Sequence, residues 1–266
     1  MFKRVFITGA GTGIGRDASI ELARRGHNVI ASTHYEEEAR LINEYAKDKG
    51  LEDNLKGIKL NVTLEEDRKK ILNYDIDVLI NNAAIGDSGS VMEVNVSRYR
   101  KTYETNVIAP IELTQLVLIN MVKNKEGRII FVSSLLGRIS KGFFSPYTST
   151  KFAIEAIAES LIDELVLLKD CNIDVAIIEP GAYKTGFNQL MMERKYNWMK
   201  EKSYFKHIVN KIRIAEQGYF SKVENISTES IVKEYIKAVE DKESNKRYIA
   251  PKYQGLVFQS MRIVGK

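Results

Sequence analysis

The sequence predicts an α/β protein built on a doubly wound parallel sheet that is flanked by helices on both faces. Short apolar runs rich in β-branched residues alternate along the chain with longer amphipathic stretches, which is the pattern of βαβ units. The first apolar run leads into the glycine-rich turn TGAGTGIG, residues 8–15, and then into an amphipathic stretch. A length of 266 residues suits one large domain of this class.

Strands and helices are expected in regular alternation. The candidate strands are residues 4–8, 28–32, 55–60, 77–81, 128–133, 174–179 and 247–249, and the candidate helices are residues 14–25, 35–49, 64–72, 97–123, 147–169 and 228–241. No linker rich in proline, glycine or serine interrupts them, so residues 1–266 are expected to form a single Rossmann-type domain.

Two segments lie outside that alternation. Residues 183–226 are rich in aromatic residues and methionine, and an excursion of this length between core elements is typical of a helical substrate-binding insertion or lid. Flexible methionines and flat rings suit a hydrophobic ligand, and ordinary helix core is an equally weighted alternative. The tail, residues 251–266, is apolar and basic. It would cover the pocket mouth, pack on a neighbouring subunit or touch a membrane.

Composition and charge exclude several classes of protein. The net charge is +5, but its lysines and arginines are scattered along the chain, so a nucleic-acid interface is not expected. The longest apolar runs, such as 115–122 and 173–178, are too short to span a bilayer, and the N-terminus lacks a signal-peptide pattern. The single cysteine, Cys171, cannot form an internal disulfide, which favours a cytoplasmic setting.

The glycine-rich turn predicts a phosphate site. Its glycines allow a tight turn and a close approach of the backbone to a phosphate, and the following helix offers free N–H groups and a positive dipole end. Tight turns without ligands also need glycine, but the place between a strand and a helix favours a dinucleotide. The residues expected to surround the nucleotide here are Gly9, Gly11, Thr12, Gly13, Ile14 and Gly15.

Polar residues stand at the carboxyl ends of five of the candidate strands. The ends of parallel strands meet along one crevice, where ligands of such sheets bind, although each residue taken singly is compatible with a plain strand cap. These pairs are Thr33–His34, Asn61–Val62, Asn81–Asn82, Ser133–Ser134 and Glu179–Pro180.

Pro110 lies inside the helical pattern of residues 97–123. Proline cannot donate to the carbonyl four residues earlier, which belongs to Asn106, so that carbonyl is free to hold a water or to face a site. A simple kink is the alternative explanation.

The stretch YTSTK places Tyr147 and Lys151 one helical turn apart. A nearby ammonium favours the phenolate, so Lys151 is expected to lower the pKa of Tyr147 towards the range of a general acid or base. Ser134 ends the preceding strand and would reach a substrate oxygen, whereas Ser133 should point away because strand side chains alternate. A packed tyrosine beside a lysine that extends to solvent is the alternative.

Together these motifs resemble the short-chain dehydrogenase/reductase family. TGAGTGIG matches the TGxxxGxG turn, NNAA at 81–84 resembles the NNAG segment, and PGAYKT at 180–185 resembles the PGxxxT segment. Asn106, Ser134, Tyr147 and Lys151 match the Asn-Ser-Tyr-Lys tetrad of the family. The motifs occur in order from residue 4 to about 186.

The resemblance implies a role for each tetrad residue. Tyr147 would be the general acid for carbonyl reduction and the general base for alcohol oxidation. Lys151 would lower the tyrosine pKa and hold the nicotinamide ribose. Ser134 would polarise the substrate oxygen, and Asn106 would hold a relay water through its main-chain carbonyl. No metal is implied, and the three histidines are dispersed.

The resemblance extends to the cofactor. Nucleotide contacts would come from Asn61, Val62, Asn82, Ala83, Ala84, Pro180, Gly181 and Thr185, together with Tyr147 and Lys151. Ala84 replaces the usual glycine of NNAG and Asn61 replaces the usual aspartate. Thr33 and His34 stand where members that prefer NAD usually carry an acid, and with Thr12 they would donate to a 2′-phosphate. NADP(H) is therefore favoured over NAD(H), although the arginine common in NADP-specific members is absent. Glu36–Glu38 are interpreted as a solvated first helical turn.

The predicted function is hydride transfer between nicotinamide and a carbonyl or secondary alcohol on a small hydrophobic molecule. Family members commonly pair through the helices that correspond to residues 97–123 and 147–169, so a homodimer or homotetramer is expected. The alternative from another class is a non-catalytic NAD(P)H sensor, which would not need the tyrosine–lysine pair. An NAD-dependent epimerase or dehydratase shares the YxxxK pattern, but fits the TGAGTGIG spacing and the chain length less well.

Overall fold

The computed structural model describes residues 2–265 and confirms the predicted fold class. Seven strands form one sheet, all paired in parallel, in the order β3-β2-β1-β4-β5-β6-β7. The strands are β1 Arg4–Ile7, β2 Asn28–Thr33, β3 Leu55–Lys59, β4 Val78–Asn81, β5 Glu126–Val132, β6 Asn172–Pro180 and β7 Arg247–Ala250. The chain order reverses between β1 and β4, so their ends form the crevice at which doubly wound sheets bind ligands.

The helices of the fold are α1 Gly13–Arg24, α2 Glu36–Asp48, α3 Glu65–Lys69, α4 Val96–Tyr103, α5 Ala109–Asn124, α6 Ser145–Val166, α7 Phe187–Lys202, α8 Val209–Val223, α9 Glu229–Glu240 and α10 Lys252–Ile263. Alternate residues of each buried strand supply the two faces of the core. Val5 and Ile7 pack with α1, α2 and α9, whereas Phe6 packs with α5 and α6 on the opposite face.

The predicted helix over 97–123 is continuous but irregular. A π-helical turn, Glu104–Ile108, joins α4 to α5, and Pro110 lies in the first turn of α5. The expected disruption at Pro110 is therefore present, and it takes the form of a widened turn that contains Asn106. Such turns occur frequently at functional sites.

That same helical run bears on the membrane prediction. Val96–Asn124 is long and apolar enough to cross a bilayer by length and hydropathy, although half of its most apolar window is buried in the fold. Polar residues such as Thr114 and Gln115 interrupt its apolar residues, so no uninterrupted apolar run marks this helix in the sequence. Its contacts with β4, β5 and α3 are those of a core helix.

The excursion at 183–226 consists of α7 and α8, and its two ends are held together. Tyr183 and Asn225 form an isolated parallel bridge, and Lys184 N donates to the Asn225 carbonyl at 2.9 Å. The tail forms α10. Gln254 on this helix accepts from Ala182 N and donates to the Val223 carbonyl, so α10 braces both ends of the helical pair.

Candidate active site

The glycine-rich turn lies between β1 and α1 and is packed too closely for side chains. Gly9 has φ +65°, and a Cβ there would lie 2.6 Å from the Ala83 Cα. Gly13 has φ +58°, and a Cβ there would approach the Thr185 side chain at 3.3 Å. Both positions therefore require glycine for backbone conformation as well as for space.

The start of α1 is prepared for an anion. Thr12 is the N-cap residue, but its side chain makes no capping hydrogen bond, and the first turn of the helix carries no acid. Thr12 is exposed, and Ile14 is half-buried against the core. The first N–H groups and the dipole of α1 are consequently available to a phosphate. This arrangement, together with the cradle of glycines, fits a dinucleotide.

Asn82 braces this turn. Its amide nitrogen donates to the carbonyls of Thr8 and Gly9 at 2.8 and 3.0 Å, and its Oδ1 accepts from the Tyr235 hydroxyl at 2.7 Å. The Thr8 hydroxyl also accepts from the N–H groups of Asn82 and Ala83, each at 3.0 Å. The side chain of Asn82 is thus committed to shaping the glycine turn, and a contact of Asn82 with a nucleotide stays a prediction.

Asn106 connects the loop after β4 to α6. Its Oδ1 accepts from Ile85 N at 2.8 Å, while its amide donates to the Ile85 carbonyl and to the Thr150 hydroxyl, each at 3.0 Å. Thr150 donates in turn to the Tyr147 carbonyl at 2.7 Å. Asn106 therefore fixes the first turns of α6, the helix that carries Tyr147 and Lys151, next to the segment that contains Ala84.

Ser134, Tyr147 and Lys151 meet where β5 ends and α6 begins. Ser134 is the N-cap of a short 3-10 turn, and its hydroxyl accepts from Leu136 N at 3.2 Å. Ser133, as expected, faces elsewhere: its hydroxyl lies beside Glu155. Tyr147 is 7 % exposed, and Phe187 of α7 packs edge-on against its ring at 5.5 Å.

The pKa of Tyr147 departs from the sequence expectation. Burial raises the pKa of this phenol to about 12, and a hydrogen bond with Ser134 acts in the opposite direction. The expected lowering by Lys151 does not outweigh desolvation, because burial disfavours the phenolate. The Lys151 Nζ lies 5.6 Å from the ring centroid.

Lys151 is itself 3 % exposed, and its Nζ donates to the Val132 carbonyl at 2.8 Å. Burial lowers the pKa of Lys151 to about 8, and the charge of Glu155, one turn along α6, opposes that shift. Glu155 is bonded to Arg247. Lys151 is thus still largely a cation at neutral pH, and one of its three ammonium hydrogens is used by Val132.

The remaining predicted nucleotide contacts lie near the strand ends. They differ in how far their polar groups are already hydrogen-bonded within the fold. Asn61 Oδ1 accepts from Thr63 N and from the Thr63 hydroxyl, and the buried Val62 gives its carbonyl to Arg68. Beyond β6, where Pro180 is the last residue, Gly181 N donates to the Ala250 carbonyl at 2.8 Å. Thr185 faces the glycine turn, as described above.

The hydroxyl of Thr33 is not available to donate to a 2′-phosphate, contrary to the expectation from the sequence. Thr33 is 1 % exposed, and its hydroxyl donates to the Tyr35 carbonyl at 2.8 Å, with the Ile58 carbonyl as a more distant acceptor at 3.3 Å. A hydroxyl has one proton to donate, so none is left for a 2′-phosphate. His34 is exposed and packs edge-on against Tyr35 at 4.5 Å.

Some aromatic and methionine residues of the insertion are buried as helix core, whereas others are partly or largely exposed, as a ligand-binding region would require. Met191, Met192 and Tyr196 are fully buried in a cluster with Phe144 and Tyr147, as ordinary core would be. Phe187 is half-buried against Tyr147, whereas Tyr204 is 73 % exposed. Among residues 2–265, no group of three or more His, Cys, Asp or Glu is placed to hold a metal ion.

The family model described as short chain dehydrogenase matches residues 3–195. The chain belongs to that family. This short-chain dehydrogenase is 37 % identical over 188 residues to an uncharacterised oxidoreductase, YusZ, of Bacillus subtilis; the match covers 69 % of this chain and 66 % of the relative. It is 29 % identical over 199 residues to retinol dehydrogenase 8 of Bos taurus, covering 72 % of this chain and 62 % of the relative. The matched region thus spans just under two thirds of either relative.

Solved structures share the fold over nearly the whole chain. A short-chain dehydrogenase from Burkholderia phymatum in complex with NAD has a TM-score of 0.78 at 16 % identity, covering 97 % of this chain and 92 % of its own. The closed form of serine dehydrogenase complexed with NADP+ has a TM-score of 0.75 at 21 % identity, covering 92 % and 93 %. At these identities the likeness is one of fold.

Several residues that shape the site were not found from the sequence. Thr8 stands at a strand end and carried the same signal as the other polar ends. Tyr235 lies on α9, 153 residues from the Asn82 that it holds, and only the tertiary structure brings the two together. The carboxylate of Glu38 lies against Gly11, a contact that the helix pattern of α2 cannot indicate, because that pattern does not say what the first turn faces.

Proposed function

We propose that this short-chain dehydrogenase transfers a hydride between a nicotinamide dinucleotide and a carbonyl or secondary alcohol on a small hydrophobic molecule. The observation that carries the proposal is the meeting of Ser134, Tyr147 and Lys151 at the edge of the sheet formed by the carboxyl ends of the strands, where the uncapped start of α1 also lies. A nicotinamide, when bound, supplies or accepts the hydride.

In this proposal Tyr147 moves the proton at the substrate oxygen. Reduction takes a proton from the Tyr147 hydroxyl, and oxidation returns one to it. Ser134, whose hydroxyl contacts the phenol, hydrogen-bonds the same substrate oxygen. The high pKa of the buried phenol makes it a proton donor in its resting form. Positive charge in addition to that of Lys151 would be needed for it to act as a base.

Lys151 would bind ribose hydroxyls with the ammonium hydrogens that the Val132 carbonyl does not use. Asn106 is proposed as a positioning residue, because its side chain ties the segment at Ile85 to the Thr150 hydroxyl beside Tyr147. The resemblance gives its main-chain carbonyl the relay water, and the π-helical turn at Glu104–Ile108 supports an unusual backbone there.

A hydrophobic substrate is proposed from the surroundings of Tyr147. Phe187 packs on the phenol, and the buried methionines of α7 stand behind it. The relative named as a retinol dehydrogenase is compatible with an apolar alcohol.

Exposed apolar residues on α5 and α6 bear on the oligomeric state, and the single cysteine bears on the cellular compartment. Ile119 on α5 is 64 % exposed and Phe152 on α6 is 42 % exposed, which supports pairing through these two helices as a homodimer or homotetramer. The single half-buried Cys171 supports a reducing, cytoplasmic environment.

The NADP(H) preference expected from the sequence loses its Thr33 argument, since that hydroxyl is already donated. Thr12 and His34 remain exposed, but neither is a fixed cation.

The test of the proposed function is an assay of cofactor consumption with NADH and with NADPH against ketones, quinones, steroids, retinoids and short aldehydes. We expect turnover with at least one apolar carbonyl, and its loss in Tyr147→Phe while nucleotide binding persists. Nucleotide binding without turnover on any class would contradict the proposal and favour the sensor alternative.

A further inference from the structure

The first turn of α2 faces the glycine-rich turn. Both carboxylate oxygens of Glu38 lie against Gly11: a Cβ built on Gly11 would lie 2.5 Å from Oε2 and 2.9 Å from Oε1. Glu38 is half-buried, and its Oε2 accepts from Tyr35 N at 3.3 Å. The sequence interpretation of Glu38 as a solvated residue is therefore wrong.

The space beside the glycine-rich turn is where dinucleotide-binding folds hold the nucleotide. The pyrophosphate lies at the start of the first helix, and an acid about 20 residues after the glycine turn accepts the ribose 2′-OH of NAD. At the end of β2 this chain has Thr33, a buried residue whose proton is already donated. Glu38 brings a carboxylate to the same turn from α2 instead.

The cations around Glu38 do not neutralise it. Arg40 is paired with Glu37 and Glu44, and the Arg16 guanidinium lies over the Tyr45 ring at 5.8 Å. Within residues 2–265, Glu38 takes part in no ion pair. His34 is the remaining basic side chain close by in sequence. A carboxylate without a cationic partner repels a second anion and accepts hydrogen bonds from hydroxyls.

We infer that Glu38 selects the cofactor: its carboxylate accepts a hydrogen bond from the adenosine ribose hydroxyls and repels a 2′-phosphate, so the enzyme prefers NAD(H). This reverses the preference expected from Thr33 and His34, and it rests on the proposed nicotinamide function. The structural alternative is that Glu38 only caps α2 through Tyr35 N.

The experiment measures dissociation constants of NADH and NADPH by nucleotide fluorescence for the full chain and for two variants. Glu38→Gln keeps an oxygen that can accept from Tyr35 N and removes the charge. Glu37→Gln is the matched control, since Glu37 precedes it on the same helix turn, is 63 % exposed and is paired with Arg40.

We expect wild type to bind NADH at least about tenfold more tightly than NADPH, because like charges near 4 Å repel strongly. Glu38→Gln should reduce this ratio by at least about fivefold, mainly through tighter NADPH binding, and Glu37→Gln should leave it within about twofold. In wild type the ratio should also fall as salt is raised, a measurement that needs no variant.

Three results would overturn the inference. Wild type that binds NADPH as tightly as NADH contradicts it alone, and so does a Glu38→Gln ratio equal to wild type, which would leave only the capping role. If wild type binds neither nucleotide, the proposed function fails together with the inference. Glu38→Asp, which keeps the charge, should retain the preference for NADH.

Discussion

The end of β5 with α6 and the helical insertion each bury a lysine, and they treat it differently. Lys151 on α6 donates to one backbone carbonyl, Val132. Lys195 on α7 is 0 % exposed and is bonded to both carboxylate oxygens of Glu216 on α8, at 2.7 and 2.6 Å. Burial lowers the pKa of both lysines, and for Lys195 the charge and hydrogen bond of Glu216 oppose the shift.

The difference is the one expected between a structural cation, Lys195, and a cation that we propose to act on ligands, Lys151. Lys195 also lies 4.2 Å from the Phe144 ring centroid, and Tyr196 donates to the same Glu216, so its environment is complete without a ligand. Lys151 has ammonium hydrogens that Val132 does not use, and Glu155, whose charge acts on Lys151, is paired with Arg247. A buried charge that is left partly unpaired is costly, and that cost is reasonable where a ligand later binds.

The largest expected effect is the loss of activity when Lys151 is replaced. Lys151→Met should lower kcat/KM by about 10²–10⁴-fold, since it removes the cation beside the phenol and its ligand contacts. The free energy of unfolding should stay equal or rise at pH 7, because a lysine with a lowered pKa opposes folding at every pH below its unfolded value. Steady-state kinetics and urea unfolding measure the two. A large loss of stability would contradict the comparison.

Lys195→Met should show the opposite pattern. It leaves Glu216 buried without its cation, so the free energy of unfolding should fall by about 3–5 kcal/mol. The double variant Lys195→Met/Glu216→Gln should recover most of this loss, since Gln can still accept from Tyr196. Urea unfolding and hydrogen exchange over α7 and α8 check it, with the exposed Lys200→Met as control. Unchanged stability in the single variant would refute the structural role of the pair.

The smallest effect concerns Glu155. Its charge supports the pKa of Lys151, about 8, so activity that needs the cation should fall as pH rises through that value. Glu155→Gln removes this support, and the alkaline limb of kcat/KM should move down by about half a unit to one unit. Glu159→Gln is the control, because Glu159 also pairs with Arg247 but is 62 % exposed. A limb that stays in place in Glu155→Gln would show that Glu155 does not act on Lys151.

The same two regions show what the sequence could predict. Around the sheet, local sequence patterns predict the structure well. Short apolar runs indicate the strands, and the spacing of TGAGTGIG indicates the glycine turn. Pro110 indicates the irregular helical turn at Asn106. The orientation of Glu38 and the hydrogen bonds of Thr33 and Asn82 depend on contacts made in the folded chain. A local sequence pattern does not identify those contacts. In the insertion, residues such as Met191 and Tyr196 indicated apolar packing, but the pairing of Lys195 with Glu216 depends on how α7 meets α8.

The most direct test of the proton-transfer role is a titration of Tyr147 by ¹³C NMR of the tyrosine ring. The chain has 13 tyrosines, and the resonance of interest is the one that Tyr147→Phe removes. In the protein alone, we expect no titration below about pH 11, because burial raises its pKa to about 12. Saturation with NAD+ or NADP+ should lower the midpoint by at least about two units, since positive charge near the phenol stabilises the phenolate. An unchanged midpoint with bound cofactor would contradict the role of Tyr147 as the acid and base of this enzyme.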